Sequence, residues 1–226
     1  MKLNFKNMLP GKMFMALSMG KDSLALSLQL LKNPSFVNRI TLIHVNHNYI
    51  LEDSKIQAKF EQFVKQFDLP YIICNNTLPN DQKESGEAYC HRVRQYYFKQ
   101  ILDENDNLIT AHTIDDAVES YLMNCLRGKP DYCPIAPYTQ LEKGRIVRPA
   151  ILVSKESLHY YLPKTIEKEF VYEDPMNNSS KSMRNWVRKE LIPVIGQKYR
   201  GLNKVVRKLY NTVYTESSSS SSSSSS

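Results

Sequence analysis

The chain has 226 residues, a formal net charge of +7 at pH 7 and a sequence pI of about 9.1. It is 42% hydrophobic and 23% charged, a balance typical of a folded globular core that excludes general disorder. No apolar run approaches the roughly 20 residues of a membrane span, and the N-terminus lacks the apolar stretch of a secretory signal. We therefore expect a cytoplasmic protein, or one of an organelle stroma or matrix.

Predicted strands and helices alternate along the chain. Apolar runs predict strands, and amphipathic segments between them predict helices. The predicted strands are 13–17, 40–45, 70–74, 107–111 and 144–149, and the predicted helices are 24–31, 52–67, 84–102 and 114–126. Ser154 is predicted to cap one further helix. This alternation predicts an α/β, Rossmann-like fold with a mostly parallel sheet, whose ligands bind at the carboxyl ends of the strands.

The positive charge is concentrated near the C-terminus. Residues 1–180 contain 21 basic and 21 acidic residues, whereas residues 181–208 contain nine basic residues and one acidic residue. We expect an α/β domain over 1–175, a short basic helical appendage over 176–216 and a disordered poly-Ser tail over 217–226. A basic block of this kind is typical of a segment that binds a polyanion.

The four cysteines are scattered and contain no CxxC pair. A disulfide framework and a structural zinc site are therefore not expected, and reduced thiols are the simplest interpretation. The four residues are Cys74, Cys90, Cys125 and Cys133.

The first chemical motif joins a predicted strand to a predicted helix and reads Ser18-Met19-Gly20-Lys21-Asp22-Ser23. Small residues let backbone N–H groups face a phosphate, and the helix N-terminus adds the positive end of its dipole. We expect Met19 to keep a negative φ and to point away from a bound nucleotide, because left-handed backbone favours glycine. Without a ligand, the same run is an ordinary helix start.

The second motif, residues 111–120, carries His112, Asp116 and Glu119 at spacings of four and three. These spacings place an imidazole and two carboxylates on one face of a helix. Carboxylates beside phosphate oxygens suit Mg²⁺, although a solvated acidic face would have the same pattern. In a third segment, His44 is expected in the core and His47 on the loop side, where it is the better candidate for a functional contact.

Six segments, in order along the chain, together resemble the tRNA(Ile)-lysidine synthetases. These enzymes belong to the PP-loop ATP pyrophosphatases, which cleave ATP between its α and β phosphates. The resemblance extends over roughly residues 13–195, and six short motifs in the correct order are far more specific than any one of them. The six segments are 18–23, 44–47, 84–98, 108–128, 146–156 and 173–193.

The resemblance implies a PP-loop domain of the adenine nucleotide alpha hydrolase type, with ATP and Mg²⁺ as cofactors. It further implies a reaction at the wobble cytidine of a tRNA(Ile) with a CAU anticodon. ATP would adenylate the oxygen on carbon 2 of that base and release pyrophosphate. The amine of free L-lysine would then displace AMP from carbon 2, giving lysidine.

Residue roles follow from the same resemblance. Asp22 and Asp116 are expected to bind Mg²⁺, and Glu119 and His112 to orient or deprotonate the lysine amine. Together with Arg184 these residues form the expected catalytic set. ATP is expected at Ser18, Met19, Gly20, Lys21, Asp22 and Ser23. Contacts to tRNA are expected from Arg92, Arg94, Arg127, Arg184, Arg188 and Lys189.

Two alternatives remain open. A tRNA thiolation enzyme uses a similar ATP loop but needs paired or catalytic cysteines, whose spacing is missing here. A non-catalytic tRNA-binding protein with a decayed nucleotide site is supported only by Met19, which replaces the glycine usual in that loop.

We expect the larger C-terminal tRNA-binding extensions of many lysidine synthetases to be missing from this chain. Segment 181–208 is therefore expected to supply much of the binding to the tRNA backbone. Binding through phosphates predicts a steep dependence on salt.

Overall fold

A computed structural model of the chain describes residues 1–80, 84–131, 133–173 and 182–219, with side chains through Tyr214. Within these residues the sheet has six strands in the order β3-β2-β1-β4-β6-β5. The strands are β1 Met13–Ala16, β2 Ile40–Asn46, β3 Tyr71–Asn75, β4 Asn107–Ile109, β5 Tyr138–Gln140 and β6 Arg145–Val147.

The central pairs of the sheet are parallel, which confirms the predicted α/β fold. Strand β1 pairs with β2 and β4, β2 pairs with β3, and β4 pairs with β6, all in parallel. Strand β6 replaces the longer strand predicted at 144–149. Strand β5 runs antiparallel to β6 and was not predicted, since its three residues are mostly exposed and show no apolar alternation.

Helices connect the parallel strands and cover both faces of the sheet. Those between the strands are α1 Lys21–Leu31, α2 Pro34–Val37, α3 Asp53–Gln66, α4 Gly86–Ile101 and α5 Ile114–Leu126. Those after the sheet are α6 Lys155–His159, α7 Lys164–Phe170, α8 Met183–Trp186, a π-helix Val187–Leu191, α9 Ile192–Lys198 and α10 Leu202–Ser219. Among the described helices none is long and apolar enough to cross a membrane.

Strand β1 shows how the core divides into two layers. Met13 and Met15 face a cluster formed with α1, α3, α6 and α7, whereas Phe14 faces a second cluster formed with α4. The two-residue period of a strand sends successive side chains to opposite faces. A strand buried on both faces is therefore apolar at every position, as expected of a parallel sheet between helical layers.

The C-terminal helices pack against the α/β domain. Val206 and Tyr210 of α10 lie fully buried against Ile114, Ala117 and Val118 of α5. The predicted boundary at residues 175 and 176 lies outside the described residues.

Helix α10 continues to Ser219, so the first three serines of the predicted disordered tail are helical. Extending a helix that is already anchored needs no new nucleation. Residues 220–226 of that tail lie outside the described residues.

Candidate functional site

The carboxyl ends of β1, β2, β4 and β6 open into one cavity of about 1710 Å³. Residues 18 and 20–23 line it beside β1, residues 110–112 line it beside β4, and Arg148 lines it after β6. Typical sites for one small ligand enclose about 300–1,000 Å³, so this cavity has room for more than one bound group. The sequence prediction that ligands bind at this edge agrees with the position of the cavity.

The segment from Ser18 to Ser23 turns directly into helix α1. The Ser23 hydroxyl donates to the Gly20 carbonyl at 2.9 Å, and Leu24 N–H donates to the same carbonyl at 3.0 Å. The Ser18 and Ser23 hydroxyls lie 3.2 Å apart. The backbone N–H groups of the first turn have no acceptor within the helix. Together with the helix dipole they make this end of the cavity suitable for an anion.

Met19 has a positive φ of 61°, so the expectation of a negative φ is wrong. The left-handed residue turns the chain from β1 into α1, and an unbranched side chain tolerates this better than a β-branched one. The Met19 side chain is fully buried in the core and does not line the cavity. Its carbonyl accepts a hydrogen bond from Tyr172 N–H at 2.8 Å, which holds the turn in place.

Asp116 is held at the N-terminus of α5 by a capping interaction. Its Oδ2 accepts from Thr113 N–H at 2.8 Å and from the Thr113 hydroxyl at 2.9 Å. Its Oδ1 lies 2.9 Å from Lys155 Nζ. Burial favours the neutral acid, but the Lys155 ammonium and the Thr113 amide outweigh it and lower the pKa of Asp116. Asp116 is therefore an ionised, fixed carboxylate.

Lys155 and His159 connect helix α6 to Asp22. Lys155 Nζ lies 3.6 Å from Asp22 Oδ2, and His159 Nε2 lies 2.5 Å from Asp22 Oδ1. The Lys155 backbone N–H also donates to Asp115 Oδ2 at 2.8 Å, which ties the start of α6 to α5. Burial alone would lower the pKa of Lys155, but the carboxylates of Asp116 and Asp22 raise it above its usual value.

Asp22 and Asp116, the two predicted magnesium ligands, therefore share one neighbouring lysine. Each presents one oxygen to it, while the other oxygen is bound elsewhere. In the described part of the chain, no group of three or more His, Cys, Asp or Glu side chains is arranged to hold a metal ion. Two carboxylates with phosphate oxygens are a usual Mg²⁺ environment, so the residues fit the ion once a nucleotide supplies the remaining oxygens.

Glu119 is buried in α5 and anchors two arginines. Arg188 of the π-helix donates to both of its oxygens, from Nε at 2.6 Å and from Nη2 at 2.9 Å. Arg184 Nε lies 3.6 Å from the same carboxylate, and Arg184 also donates to Glu87 at 2.7 Å. A buried carboxylate needs such partners because desolvation of an unpaired charge is costly. Glu119 thus fixes the two guanidinium groups at the cavity wall.

Two further arginines and one histidine line the cavity, and little negative charge lies near them to compensate the arginines. Arg94 forms no ion pair with a described residue, and burial lowers its pKa. Arg148 donates to the Ala136 carbonyl and the Thr139 hydroxyl, while its buried Nε has no hydrogen-bond partner among the described residues. Burial, with the charge of Arg148, lowers the pKa of His112 to about 4. His112 is therefore neutral at pH 7, and this wall of the cavity favours an anion.

The remaining residues predicted to contact tRNA occupy different environments. Arg92 donates to Glu84 at 2.8 Å and lies over the Tyr89 ring, although it also reaches the cavity wall. Arg127 is exposed at the end of α5 beside the cavity, and Lys189 is exposed outside it.

His47 borders the cavity as expected of a loop histidine, and burial, with the nearby charge of Arg94, lowers its pKa to about 4. His44 is buried, and its Nδ1 lies 2.9 Å from the Leu17 carbonyl, which agrees with its expected place in the core.

Sequence reasoning missed the roles of Lys155 and His159. They are four residues apart on a helix of five, directly after the Ser154 cap. That spacing places both on one face, which was the available signal. His159 and Asp22 are 137 positions apart, so no local pattern revealed their contact.

A family profile decides the relationship of the chain to known proteins. The profile of the PP-loop domain matches residues 2–195. The chain belongs to the PP-loop family. This PP-loop domain is also similar to curated tRNA(Ile)-lysidine synthases, which confirms the resemblance found in the motifs.

Two of these relatives illustrate the similarity. The chain is 27% identical over 175 residues to the tRNA(Ile)-lysidine synthase of Coxiella burnetii, covering 76% of this chain and 38% of that one. It is 32% identical over 186 residues to the tRNA(Ile)-lysidine synthase of Lactiplantibacillus plantarum, covering 79% and 40%. The chain therefore spans about 40% of the length of these relatives.

Among solved structures, a U34-tRNA thiolase from Methanococcus maripaludis, determined with a 4Fe-4S cluster, has the same fold. Its TM-score is 0.69 at 16% identity, covering 94% of this chain and 75% of the thiolase. The four cysteines of the present chain are free, and only Cys133 lines the cavity. Burial raises the pKa of Cys133 to about 11, so its thiol is protonated at neutral pH.

Proposed function

We propose that this PP-loop domain is a tRNA(Ile)-lysidine synthetase. It would use ATP to join free L-lysine to carbon 2 of the wobble cytidine of a tRNA(Ile) with a CAU anticodon. The supporting observation is that one cavity is lined both by the helix start at residues 18–23, which is suited to an anion, and by a wall of guanidinium groups from Arg94, Arg148, Arg184 and Arg188. A nucleotide alone would not require both ends of a cavity of about 1710 Å³.

The proposed reaction has two steps. The oxygen on carbon 2 of cytidine attacks the α-phosphorus of ATP, the bond to the β-phosphate oxygen breaks, and pyrophosphate leaves. The neutral amine of lysine then attacks carbon 2, AMP leaves with that oxygen, and the amine loses a proton. Mg²⁺ bound between Asp22, Asp116 and the phosphates would neutralise charge on the leaving group.

The helix start at α1 is the proposed holder of the phosphates. Its free N–H groups and Lys21 supply donors and positive charge, while Glu167 anchors the Lys21 ammonium at 2.5 Å. Because the Met19 side chain lies in the core, it leaves this end of the cavity open. This arrangement argues against a decayed nucleotide site.

The guanidinium wall is the proposed binding surface for the target nucleotide and its phosphates. Arg188 donates two hydrogen bonds to Glu119 and Arg184 forms an ion pair with it, so this carboxylate positions both guanidinium groups at the wall. A wobble base lies in a loop, where an unstacked base can be turned into a pocket and its phosphates bound by arginine. Neutral His112, beside this wall, is suited to accept a hydrogen bond from the amine of lysine.

Transfer of labelled lysine to tRNA tests the proposed function. The chain is incubated with CAU-anticodon tRNA(Ile), ATP, Mg²⁺ and labelled L-lysine, and label in the isolated tRNA is counted. We expect ATP-dependent labelling of tRNA(Ile) and none of a control tRNA whose wobble base is uridine. The absence of label from tRNA(Ile) would reject the proposal.

A cysteine-free variant separates this function from thiolation. Replacing Cys74, Cys90, Cys125 and Cys133 together by serine or alanine removes every thiol that a sulfur-transfer reaction needs. A lysidine synthetase retains transfer of lysine in this variant, provided that circular dichroism shows it folded. A thiolation enzyme loses its activity.

A further inference from the structure

Helix α6 places a lysine ammonium in the gap between the two proposed magnesium ligands. Lys155 Nζ lies 2.9 Å from Asp116 Oδ1 and 3.6 Å from Asp22 Oδ2. These are the two carboxylate oxygens that no other described side chain binds. A divalent cation bridging the same two oxygens would need the position that this ammonium holds.

We propose that Lys155 is an internal counter-ion that keeps divalent cations out of the Asp22–Asp116 pair until a nucleotide arrives. The cation and the triphosphate would then enter together, and the ammonium would move from the carboxylates to a phosphate oxygen. Lys155 is thus a positioning and gating residue for the metal. The inference deepens the proposed function, since it rests on the use of Mg·ATP at this site.

The charges around the site support this exchange. Without Lys155, two carboxylates would face each other across the gap, and like charges at such range repel strongly in a partly buried site. With Lys155 in place the pair is compensated, so a divalent cation gains less by binding. Phosphate oxygens make binding of the cation favourable again, because they supply new negative charge to both the cation and the displaced ammonium.

The position of Lys155 also permits the movement. Its backbone is fixed, because its N–H donates to Asp115 at the start of α6. The side chain is 24% exposed and lines the same cavity as residues 20–23. A four-carbon stem with a compact ammonium can therefore turn from the carboxylates toward the helix start of α1 while α6 stays in place.

Binding of Mn²⁺ without nucleotide or tRNA tests the proposal. Free Mn²⁺ is measured by electron paramagnetic resonance during titration of wild type, Lys155→Gln and Lys155→Arg. The matched control is Lys164→Gln, because Lys164 is exposed on α7 and forms an ion pair with Glu167 rather than with Asp22 or Asp116. Lys155→Met, which keeps the length of the stem, is measured as well, so that the test does not depend on the folding of one variant.

Removing the charge is expected to open the site to the metal. Lys155→Gln and Lys155→Met should bind Mn²⁺ at least about tenfold more tightly than wild type, whereas Lys155→Arg and Lys164→Gln should match wild type. In the double variant Lys155→Gln/Asp116→Asn, this increase in Mn²⁺ affinity should disappear. With an uncleavable ATP analogue present, wild type should bind Mn²⁺ as well as Lys155→Gln does.

Two results would overturn the proposal. One is equal Mn²⁺ affinity of wild type, Lys155→Gln and Lys155→Met without nucleotide. The other is an affinity of wild type that the ATP analogue leaves unchanged. Because this titration requires neither lysine nor tRNA, its outcome is independent of the lysine-transfer assay, and the failure of one is distinguishable from the failure of the other.

Discussion

Met19 is a residue at which two physical effects oppose each other. Its φ of 61° lies in the region that disfavours side chains, while the side chain itself is fully buried in the core. The left-handed conformation costs about 1–2 kcal/mol for a residue with a Cβ. Deleting a buried methionine side chain costs about 2–5 kcal/mol. Burial is therefore the larger effect, which explains how a non-glycine residue persists in the loop.

Two variants separate the effects at Met19. Met19→Gly should lower the free energy of unfolding by about 1–3 kcal/mol, since relief of the backbone only partly offsets the lost burial. Met19→Ala loses nearly the same contacts but keeps a Cβ, so it should be about 1 kcal/mol less stable than Met19→Gly. Urea denaturation measures both changes.

The affinity for ATP, measured by calorimetry, gives a second readout for the same variants. Because the Met19 side chain does not line the cavity, Met19→Gly should bind ATP within about threefold of wild type. A large gain in affinity would show that the methionine obstructs the nucleotide.

His112 makes the stability of the protein depend on pH. Its pKa of about 4 lies below the 6.5 of an ordinary histidine, so the unfolded chain takes up the proton first as the pH falls. Its contribution to stability is present above pH 6.5 and is lost on acidification toward pH 4. The loss reaches up to about 3 kcal/mol, since one pKa unit corresponds to about 1.4 kcal/mol.

Replacing the imidazole tests this dependence. In His112→Asn, the decrease in unfolding free energy between about pH 7 and pH 5 should be smaller than in wild type. His91→Asn is the comparison: burial also lowers the pKa of His91, but its side chain is exposed, so its replacement should reduce the decrease less than His112→Asn does. If His112→Asn retained the full decrease of wild type, another group would be responsible for it.

Most of the residues predicted for the site line the cavity, but the contacts between them were not predicted. The spacing of His112, Asp116 and Glu119 predicted one helix face, but α5 begins at Ile114, so only Asp116 and Glu119 lie on it. His112 precedes the helix, and all three residues line the cavity. The spacing did not predict that both oxygens of Glu119 bind Arg188, because the two residues are 69 positions apart. Contacts across such distances depend on how helices pack, which a local pattern does not contain.

At the scale of elements, helix α10 is joined to the α/β domain through Tyr210. The Tyr210 hydroxyl donates to the Ile135 carbonyl at 2.7 Å and accepts from the Ile135 N–H at 3.2 Å, while its ring is buried against α5. The Tyr210 side chain therefore packs against apolar residues and also hydrogen-bonds both backbone groups of Ile135 in the loop. The sequence predicted a basic helical segment here, but the packing partner of that segment followed only from the structure.

The loss of unfolding free energy on substitution of Tyr210 should depend on which interactions the substitution removes. Tyr210→Phe should cost about 1–2 kcal/mol of unfolding free energy, because the backbone groups of Ile135 lose their partner. Tyr210→Ala should cost about 3–5 kcal/mol through the added cavity. Tyr199→Ala, on an exposed side chain, should stay within about 0.5 kcal/mol of wild type. Equal effects of Tyr210→Ala and Tyr199→Ala would contradict the anchoring role.

The order of strands and helices was readable from hydrophobic patterns, since buried parallel strands are short and apolar. The patterns did not reveal the edge strand β5 or the π-helix at Val187–Leu191. Strand β5 depends on pairing with β6, and a π-helix differs from an α-helix only in its backbone hydrogen bonds. Neither leaves a periodic signal in the side chains.

At the scale of the whole molecule, the excess positive charge has two locations. Arg184 and Arg188 turn into the cavity, whereas six cations of the same segment are exposed on its surface, and Lys181 lies outside the described residues. The exposed cations are Lys189, Lys198, Arg200, Lys204, Arg207 and Lys208. We expect the exposed group to bind the tRNA backbone and the inward pair to serve the reacting nucleotide.

A charge-neutral variant tests this division. Changing Lys198, Arg200, Lys204 and Lys208 to glutamine should weaken binding to tRNA and reduce the slope of log affinity against log salt by about 3, since each phosphate contact contributes about 0.7–0.9. ATP binding should not change. The matched control changes the exposed lysines Lys2, Lys55, Lys65 and Lys99. Equal loss in both variants would show that only total charge matters.

Nucleoside analysis of the reacted tRNA is the most direct test of the proposed function. CAU-anticodon tRNA(Ile) is incubated with ATP, Mg²⁺, L-lysine and either wild type or Asp116→Asn, then digested and examined by mass spectrometry. We predict lysidine in place of the wobble cytidine with wild type, and at least about 100-fold less with Asp116→Asn. Unmodified cytidine after reaction with wild type, or undiminished lysidine with Asp116→Asn, would contradict the account.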